Sequence, residues 1–230
     1  MKRPLLYVAC LLVCVWSGVV ELGAYAQGKP EPEYIAWTWN VKPKQADPGL
    51  PNVLLQGDSL SRNYFPEVQR RLQGIANVYL VANSYSSGDP RLAKEIVLFA
   101  EAEHVRFQVV HFNNGMHEPD LSEAKYREGF APYLKALRRI APKAKLIWAT
   151  TTPVKEDLES GLTNARIDER NTIAHSFVGN MPIDDQHALM EKHQDLYLDN
   201  IHFKPEGANL SGAQAAEMIL AALRATGASK

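Results

Sequence analysis

A serine near the start of the folded region, and an aspartate and a histidine near the end of the chain, are the residues most suited to chemistry. Ser59 lies in Gly-Asp-Ser-Leu at 57–60, directly after an apolar run, and Asp199 and His202 stand three residues apart. A serine hydroxyl is a poor nucleophile at neutral pH and needs a nearby base, which a carboxylate orients. In Asp-x-x-His the carboxylate can hold one ring nitrogen and leave the other facing the serine. The three residues therefore predict acyl transfer on serine, although the serine segment alone also fits a solvated turn or a helix cap.

The middle of the chain alternates between short apolar runs and amphipathic segments. The runs predict buried strands at 52–56, 78–82, 107–112, 146–150 and 181–183. Helical periodicity covers 91–102, 121–140 and the segment from Glu206 onward, after Pro205. This alternation predicts an α/β fold, a three-layer α/β/α sandwich around a mostly parallel sheet of about five strands. Ligands of such sheets bind where the carboxyl ends of the strands meet the loops, which is where Ser59 is expected.

The first 26 residues have the pattern of an export signal. Two basic residues precede an almost wholly apolar run over 4–20, and Ala-Tyr-Ala at 24–26 fits a signal-peptidase site. A single membrane anchor is the alternative interpretation, but the run is short for a span. We therefore predict cleavage near Ala26, a secreted or periplasmic protein, and no stable membrane span in the mature chain.

The segment 27–50 is interpreted as an N-terminal arm. It is rich in Pro, Lys and Glu and contains Trp37 and Trp39. Two tryptophans at a spacing of two predict a short extended segment with one edge docked on the domain. A packed lead-in is the favoured interpretation, and a platform for stacking on sugars is the alternative. The remaining residues, 51–230, are predicted to form one domain with a full core.

Composition argues against several classes of function. Both cysteines, Cys10 and Cys14, lie in the leader, so the mature chain would have no disulfide, thiolate metal site or cysteine nucleophile. The net charge is −1, and no concentrated basic run is present that would bind nucleic acid. No glycine-rich phosphate loop occurs, and His187 and His193 are six residues apart, which is wrong for one helical face. We therefore expect no cofactor and no metal site. Three aspartates are assigned to surface charges and caps: Asp184, Asp185 and Asp195.

Three blocks, read in order along the chain, resemble those of the GDSL or SGNH hydrolase family. Gly-Asp-Ser-Leu at 57–60 matches the first block, Asn-Ser-Tyr-Ser-Ser-Gly-Asp at 83–89 resembles the second, and Asp-Asn-Ile-His at 199–202 matches the last. The resemblance covers about residues 51–225. It implies the flavodoxin-like SGNH hydrolase fold.

The resemblance also implies a role for each of four residues. Ser59 would be the nucleophile, His202 the general base and Asp199 the residue that orients it. The backbone N–H groups of Ser59 and Gly88 would donate hydrogen bonds to the oxyanion, and a glycine lets the backbone approach the substrate closely. A plain turn glycine is the alternative interpretation of Gly88.

The third block departs from the family pattern. The family usually has Gly-x-Asn-Asp after the third strand, with the asparagine as a further oxyanion donor, whereas this chain has His-Phe-Asn-Asn-Gly-Met-His-Glu at 111–118. Aligned on Gly115, the segment puts His117 at the asparagine position and Glu118 at the aspartate position. An imidazole also donates a hydrogen bond, so His117 is the favoured third donor and Asn114 the alternative. The asparagines also fit a role in satisfying loop backbone groups.

The leader and these roles together imply an exported serine esterase that hydrolyses acyl esters. Acetyl esters, on a carbohydrate or another small molecule, are the expected substrates. A lipase or lysophospholipase is one alternative, and an acyltransferase is another, because water and alcohols compete for the same acyl-enzyme. A non-catalytic binding protein on the same fold is the alternative of a different class, and the altered third block favours it. No nucleic acid partner is expected, and the oligomeric state stays open.

Overall fold

One sheet with helices packed on both faces organises the chain. The structure, a computed structural model, describes residues 35–227, so the predicted leader lies outside the described residues. The strands are β1 (Thr38–Val41), β2 (Asn52–Gly57), β3 (Asn77–Asn83), β4 (Val109–Phe112), β5 (Lys145–Ala149) and β6 (Ile183–Asp184). The helices are α1 (Ser59–Arg71), α2 (Pro90–Glu103), α3 (Glu123–Ile140), α4 (Asn164–Val178), α5 (Gln186–Glu191) and α6 (Pro205–Ala225), with a 3-10 turn at Gln194–Leu196.

The strands lie in the order β1-β3-β2-β4-β5-β6. β1 pairs antiparallel with β3, and every other neighbouring pair is parallel. The predicted α/β fold with a mostly parallel sheet is confirmed. The sheet has six strands rather than about five, because the arm contributes β1, which sets Thr38 opposite Asn83 and Val41 opposite Leu80. Without β1, the outer edge of β3 would present unpaired backbone groups.

Side chains of the parallel strands are buried on both faces of the sheet. In β2, Leu54 joins the apolar cluster under α2, α3 and α4, whereas Val53 and Leu55 join the cluster under α1 and α6. This is the alternation expected of a strand covered by helices on both sides. Each such side chain contributes about 1.5–3 kcal/mol through burial.

A third apolar cluster lies among the loops at the carboxyl ends of the strands. It joins the start of α1 (Leu60), the loop after β4 (Met116) and the segment before α6 (Tyr197 and Phe203). The chain runs from β2 outward to β3 and then to β4 on the other side of β2, which is a topological switch point. The cluster therefore packs the predicted site segments at the edge of the sheet where such folds bind ligands.

Asp184 is buried, so its assignment as a surface charge was wrong. Its carboxylate lies 2.7 Å from His111 Nε2 and accepts hydrogen bonds from Gln186 Nε2 at 2.9 Å and Gln214 Nε2 at 2.7 Å. Burial acts to raise the pKa of Asp184, but the contact with His111 and the two amide bonds hold the pKa below its ordinary value. Asp185 does cap a helix, because its side chain accepts a hydrogen bond at the start of α5.

Candidate active site

Ser59 is the first residue of α1 and lies where β2 turns into the helix. Asp58 caps this helix, and its side chain accepts a hydrogen bond of 2.9 Å from the N–H of Leu60. A Cβ atom at Gly57 would lie 2.0 Å from the Oγ atom and 2.8 Å from the Cβ atom of Ser61, so the turn has room only for glycine. The tight turn sets Ser59, which is half-buried, at the carboxyl edge of the sheet.

His202 and Asp199 lie in the loop before α6 and complete a chain of hydrogen bonds to Ser59. The Nε2 atom of His202 is 2.8 Å from Ser59 Oγ, and its Nδ1 atom is 2.9 Å from Asp199 Oδ2. The other carboxylate oxygen of Asp199 accepts hydrogen bonds of 2.7 Å from the backbone N–H groups of Ile201 and His202. The three residues that the sequence places at opposite ends of the folded region are thus in contact.

The charge on Asp199 is favoured by these contacts. Partial burial acts to raise the pKa of Asp199, but the N–H groups of His202 and Ile201 and the His202 ring hold the pKa below its ordinary value. The carboxylate is therefore ionised at neutral pH. An ionised carboxylate beside Nδ1 keeps the proton on that nitrogen and leaves Nε2 free to accept the proton of a serine hydroxyl.

The loop that carries Asp199 and His202 is closed by its two flanking aromatic residues. Tyr197 and Phe203 form an antiparallel bridge, and their rings meet edge to face with centroids 5.0 Å apart. The Tyr197 hydroxyl donates a hydrogen bond of 2.6 Å to the carbonyl of Pro153. These contacts bind the loop to the segment after β5 and orient it toward Ser59.

Gly88 lies in the loop after β3, at the point where this loop touches α3. A Cβ atom at Gly88 would lie 2.5 Å from Leu121 Cδ2 and 3.0 Å from the carbonyl oxygen of Lys125. Gly129 faces the same loop from α3, and a Cβ atom there would lie 1.9 Å from the carbonyl oxygen of Ser87. Packing therefore accounts for the glycine at position 88, and the oxyanion role of its N–H group stays a prediction.

Asn114 joins the loop after β4 to the loop that contains Gly88. Its side-chain oxygen accepts a hydrogen bond of 2.7 Å from the N–H of Ser87, and its side-chain nitrogen donates one of 2.9 Å to the carbonyl of Tyr85. The Tyr126 hydroxyl donates to the Asn114 carbonyl at 2.6 Å. Asn114 thus satisfies backbone groups of a neighbouring loop and still has a second side-chain N–H.

His117, the favoured third donor, is half-buried and follows Asn114 by three residues in the same loop. Its ring meets the indole of Trp37 edge to face, with centroids 5.7 Å apart. Its backbone carbonyl accepts a hydrogen bond of 2.8 Å from Arg170. The oxyanion roles of His117 and Asn114 stay predictions.

Arg170 in α4 is a residue that the sequence prediction missed. Its guanidinium is fully buried and donates to the carbonyls of Gly115 at 2.9 Å, His117 at 2.8 Å, Glu118 at 2.9 Å and Leu121 at 3.1 Å. Glu118 has a φ of 54°, a left-handed conformation that costs a non-glycine residue about 1–2 kcal/mol. Arg170 therefore holds the loop after β4 in a conformation that the loop would not adopt alone.

Solved structures of similar shape identify the architecture. A carbohydrate esterase family 3 protein from Talaromyces cellulolyticus superposes with a TM-score of 0.60 at 14% identity, covering 76% of this chain and 99% of that one. The catalytic domain of peptidoglycan O-acetyltransferase A from Streptococcus pneumoniae gives 0.56 at 19% identity, covering 79% and 97%. A member of the lipolytic protein G-D-S-L family from Veillonella parvula gives 0.55 at 16% identity, covering 72% and 96%. This chain has the SGNH hydrolase fold.

The fold that the resemblance implied is confirmed by these structures. No protein-family model matches the sequence, and no curated protein matches it. Within this SGNH fold the first and last blocks meet across 143 residues, through the hydrogen bond between Ser59 and His202. The second and third blocks meet through the side chain of Asn114.

Two further features of residues 35–227 bear on the candidate site. No group of three or more His, Cys, Asp or Glu side chains among them is arranged to hold a metal ion. No helix among them is long and apolar enough to cross a membrane.

Proposed function

We propose that the chain is an exported serine esterase that hydrolyses acetyl esters of carbohydrates through an acyl-enzyme on Ser59. The observation that carries this proposal is the pair of hydrogen bonds from Ser59 through His202 to Asp199, of 2.8 and 2.9 Å. These distances are within the reach required of a nucleophile and its base. The proposed substrate class is supported by two structural neighbours, one named a carbohydrate esterase and the other a peptidoglycan O-acetyltransferase.

In the first half of the proposed reaction, the Ser59 oxygen attacks the carbonyl carbon of the ester while His202 Nε2 takes the hydroxyl proton. Asp199 stabilises the imidazolium through the bond to Nδ1. The tetrahedral oxyanion accepts hydrogen bonds from the N–H groups of Ser59 and Gly88 and from a third donor. Collapse of this intermediate breaks the bond to the alcohol oxygen, which leaves with the proton from His202.

In the second half, water attacks the acyl-enzyme carbonyl and His202 takes a proton from it. The second tetrahedral intermediate collapses with release of acetic acid, and His202 returns the proton to the Ser59 oxygen. Another alcohol in place of water would complete acyl transfer. The neighbour named an O-acetyltransferase makes transfer the second candidate function, and the neighbour named a lipolytic protein supports the lipase alternative.

The test of this proposal is hydrolysis of p-nitrophenyl acetate and p-nitrophenyl octanoate by the chain without its first 26 residues. We expect faster turnover of the acetate, and a loss of about 10⁴–10⁶-fold in kcat in Ser59→Ala. Ser176→Ala is the matched control, because Ser176 is an exposed helical serine that donates to a carbonyl of its own helix, Ile173, at 2.6 Å. Labelling by a fluorophosphonate probe should be lost in the first variant and kept in the second.

Other outcomes would select another function. Preference for the octanoate would favour a lipase, and acetate transfer to added methanol at the expense of hydrolysis would favour an acyltransferase. A wild-type chain that binds acetylated sugars but neither turns over an ester nor reacts with the probe would be a binding protein. Export is tested separately by the mass of the protein recovered from an expressing bacterium, which should lack the first 26 residues.

The third oxyanion donor is tested by comparing Asn114→Ala with His117→Ala. Loss of a donor to the oxyanion lowers kcat by about 10²–10³-fold. Asn114→Ala also removes two bonds to the neighbouring loop, so the free energy of unfolding is measured in parallel. The donor is the residue whose loss lowers kcat with little change in KM in a chain that is still folded. Wild-type kcat in both variants would show that the oxyanion has no third side-chain donor from this loop.

A further inference from the structure

Two tryptophans of the arm and an arginine of α1 form an exposed cluster, here called the arm cluster (Trp37, Trp39 and Arg62). The guanidinium carbon of Arg62 lies 5.6 Å from the centroid of the Trp37 ring and 5.1 Å from that of Trp39. Trp39 keeps 52% of its surface exposed, Arg62 is exposed, and Trp37 is half-buried. The exposed Trp39 indole offers a flat apolar face together with a polar N–H, which suits contact with a ligand.

The arm cluster borders the candidate active site. Arg62 is three residues after Ser59 in α1, so it lies about one turn, or roughly 4.5 Å, further along the helix. Trp37 is held beside the loop after β3 by its backbone. Its backbone N–H donates to Ser84 Oγ at 3.1 Å, and its carbonyl accepts from the backbone N–H of Ser84 at 3.2 Å. Its ring also meets His117 of the loop after β4. The arm cluster is therefore within reach of a substrate that extends beyond its ester group at Ser59.

The charge of the arm cluster points to an anionic ligand. Arg62 pairs with no carboxylate in the part of the chain that the structure describes. Arg138 also pairs with none there, but Arg62 differs from it in lying over two indole rings. A guanidinium stacked against aromatic rings keeps its N–H groups directed outward in its own plane. This planar fork matches the two oxygens of a carboxylate.

We propose that the arm cluster is a subsite for an acidic sugar, a glycan unit that carries a carboxylate. The exposed face of Trp39 would contact the apolar face of the sugar ring, and the Arg62 fork would bind the carboxylate. The subsite would hold the glycan so that an acetyl ester on the same or a neighbouring unit reaches Ser59. This assignment rests on the proposed esterase function for its purpose, although binding is measurable without turnover.

The experiment is calorimetric titration of the Ser59→Ala chain, confirmed as folded by circular dichroism, with two matched probes. The first is O-acetylated tetragalacturonate, and the second is the same oligosaccharide with each carboxylate converted to a carboxamide. We expect the acidic probe to bind at least about tenfold more tightly, since a hydrogen-bonded charge pair contributes at this scale. Adding Arg62→Gln should remove the difference between the probes, and adding Trp39→Ala should weaken the binding of both about tenfold. Arg138→Gln, an exposed helical arginine in no ion pair of the described residues, is the control and should change neither.

The outcomes separate this inference from the proposed function. Equal affinity for the two probes, no binding of either, or a preference that survives Arg62→Gln would each overturn the acidic-sugar subsite. Release of acetate from the acidic probe by the wild-type chain is then measured. Binding that depends on Arg62, in a chain that releases acetate from neither the acidic probe nor p-nitrophenyl acetate, would keep the subsite and overturn the esterase. Turnover of p-nitrophenyl acetate without binding of either probe would keep the esterase and overturn the subsite.

Discussion

The loop that carries Asp199 and His202 and the loop that follows β4 both contain predicted site residues, but different contacts hold them. In the first, the Asp199 carboxylate bonds to backbone and ring groups no more than three residues away. In the second, the carbonyls of the loop are held by Arg170, which is 49–55 residues further along the chain. The contact between carboxylate and ring in the first loop is set within a short segment, although Tyr197 and Asn200 also tie this loop to the segment after β5. The conformation of the second loop depends on a side chain from a distant helix.

This difference predicts two kinds of failure. A substitution in the short segment removes a proton-transfer group and leaves the core untouched, so it should cost activity without stability. A substitution in the support of the second loop leaves buried polar groups unpaired, so it should cost stability first. For each substitution, comparing the loss of activity with the loss of unfolding free energy shows whether local or long-range contacts hold that part of the site.

Among substitutions that test this comparison, the largest effect is expected for Asp199→Asn. The amide cannot hold the His202 ring in the required tautomer, so kcat should fall by about 10³–10⁴-fold on p-nitrophenyl acetate. The free energy of unfolding, measured with urea, should change by less than about 1 kcal/mol. Asp195→Asn, an exposed aspartate of the preceding turn, is the control. A loss of kcat below tenfold would mean that Asp199 does not orient the base.

The next effect is expected for Arg170→Met, which keeps an unbranched apolar stem and removes the guanidinium donors. The carbonyls of Gly115, His117, Glu118 and Leu121 would each lose the hydrogen bond from Arg170. The Glu118 carbonyl keeps one from the Leu121 N–H at 3.0 Å, and the Leu121 carbonyl keeps one from Arg166 at 2.8 Å. We expect a loss of about 3–5 kcal/mol in unfolding free energy. Arg138→Met on the exposed face of α3 should lose less than about 1 kcal/mol. Equal urea midpoints for the two variants would contradict the supporting role of Arg170.

A smaller effect is expected for Gly129→Ala. The added methyl group would lie 1.9 Å from the Ser87 carbonyl and would push the loop of Gly88 away from α3. We expect a loss of about 1–3 kcal/mol and a rise in KM. Gly49→Ala is the control, because its methyl group would meet only the Asp47 side chain, at 3.2 Å. An unchanged Tm for Gly129→Ala would show that the loop can move without cost.

The smallest effect is expected for Glu67→Gln in α1. The hydrogen bond from Arg70, which outweighs the effect of burial, and the bond from Arg71 lower the pKa of Glu67 to about 2. The contacts of the ionised Glu67 with the two arginines contribute stability above the pKa of glutamate in the unfolded chain, about 4.3. This contribution is lost as the pH falls toward 2. We expect Glu67→Gln to cost about 0.5–1 kcal/mol at pH 7.

The difference in unfolding free energy between the wild-type chain and Glu67→Gln should shrink between about pH 4 and pH 2. Urea unfolding at several pH values in this range measures it. Glu169→Gln, an exposed glutamate of α4, should show no such trend. A difference that is constant from pH 7 to pH 2 would show that the two arginines do not stabilise the ionised form.

Much of the fold was predictable from the sequence, because it depends on periodicity along short segments. The apolar runs predicted β2 to β6 to within a few residues, and helical spacing predicted α2, α3 and α6. The strand β1 was predicted only as an extended, docked segment, since its four residues are exposed or half-buried and lack an apolar alternation. Its pairing was decided by the free edge of β3, which lies about 40 residues away in sequence.

Two buried charges show where prediction from the sequence failed. Arg170 follows Ile167 and precedes Ala174 and Val178 on the buried stripe of α4, so its position at helical spacing was a signal of burial that its charge concealed. Asp184 gave no such signal, because its partners come from β4, α5 and α6. Long-range hydrogen bonds make both charges tolerable in the core, and no local pattern encodes them.

The sequence by itself determined the alternation that specifies an α/β/α sandwich, the sharp Gly-Asp-Ser turn after β2 and the close spacing of Asp199 and His202. Each of these depends on backbone geometry over a few residues. Only the tertiary structure decided that His202 reaches Ser59, that Asn114 and Arg170 hold the loops beside them, and that Trp37 and Trp39 stack against Arg62. The physical reason is that these contacts join segments 23 or more residues apart, and they form only when burial of the two core faces brings the strand ends together.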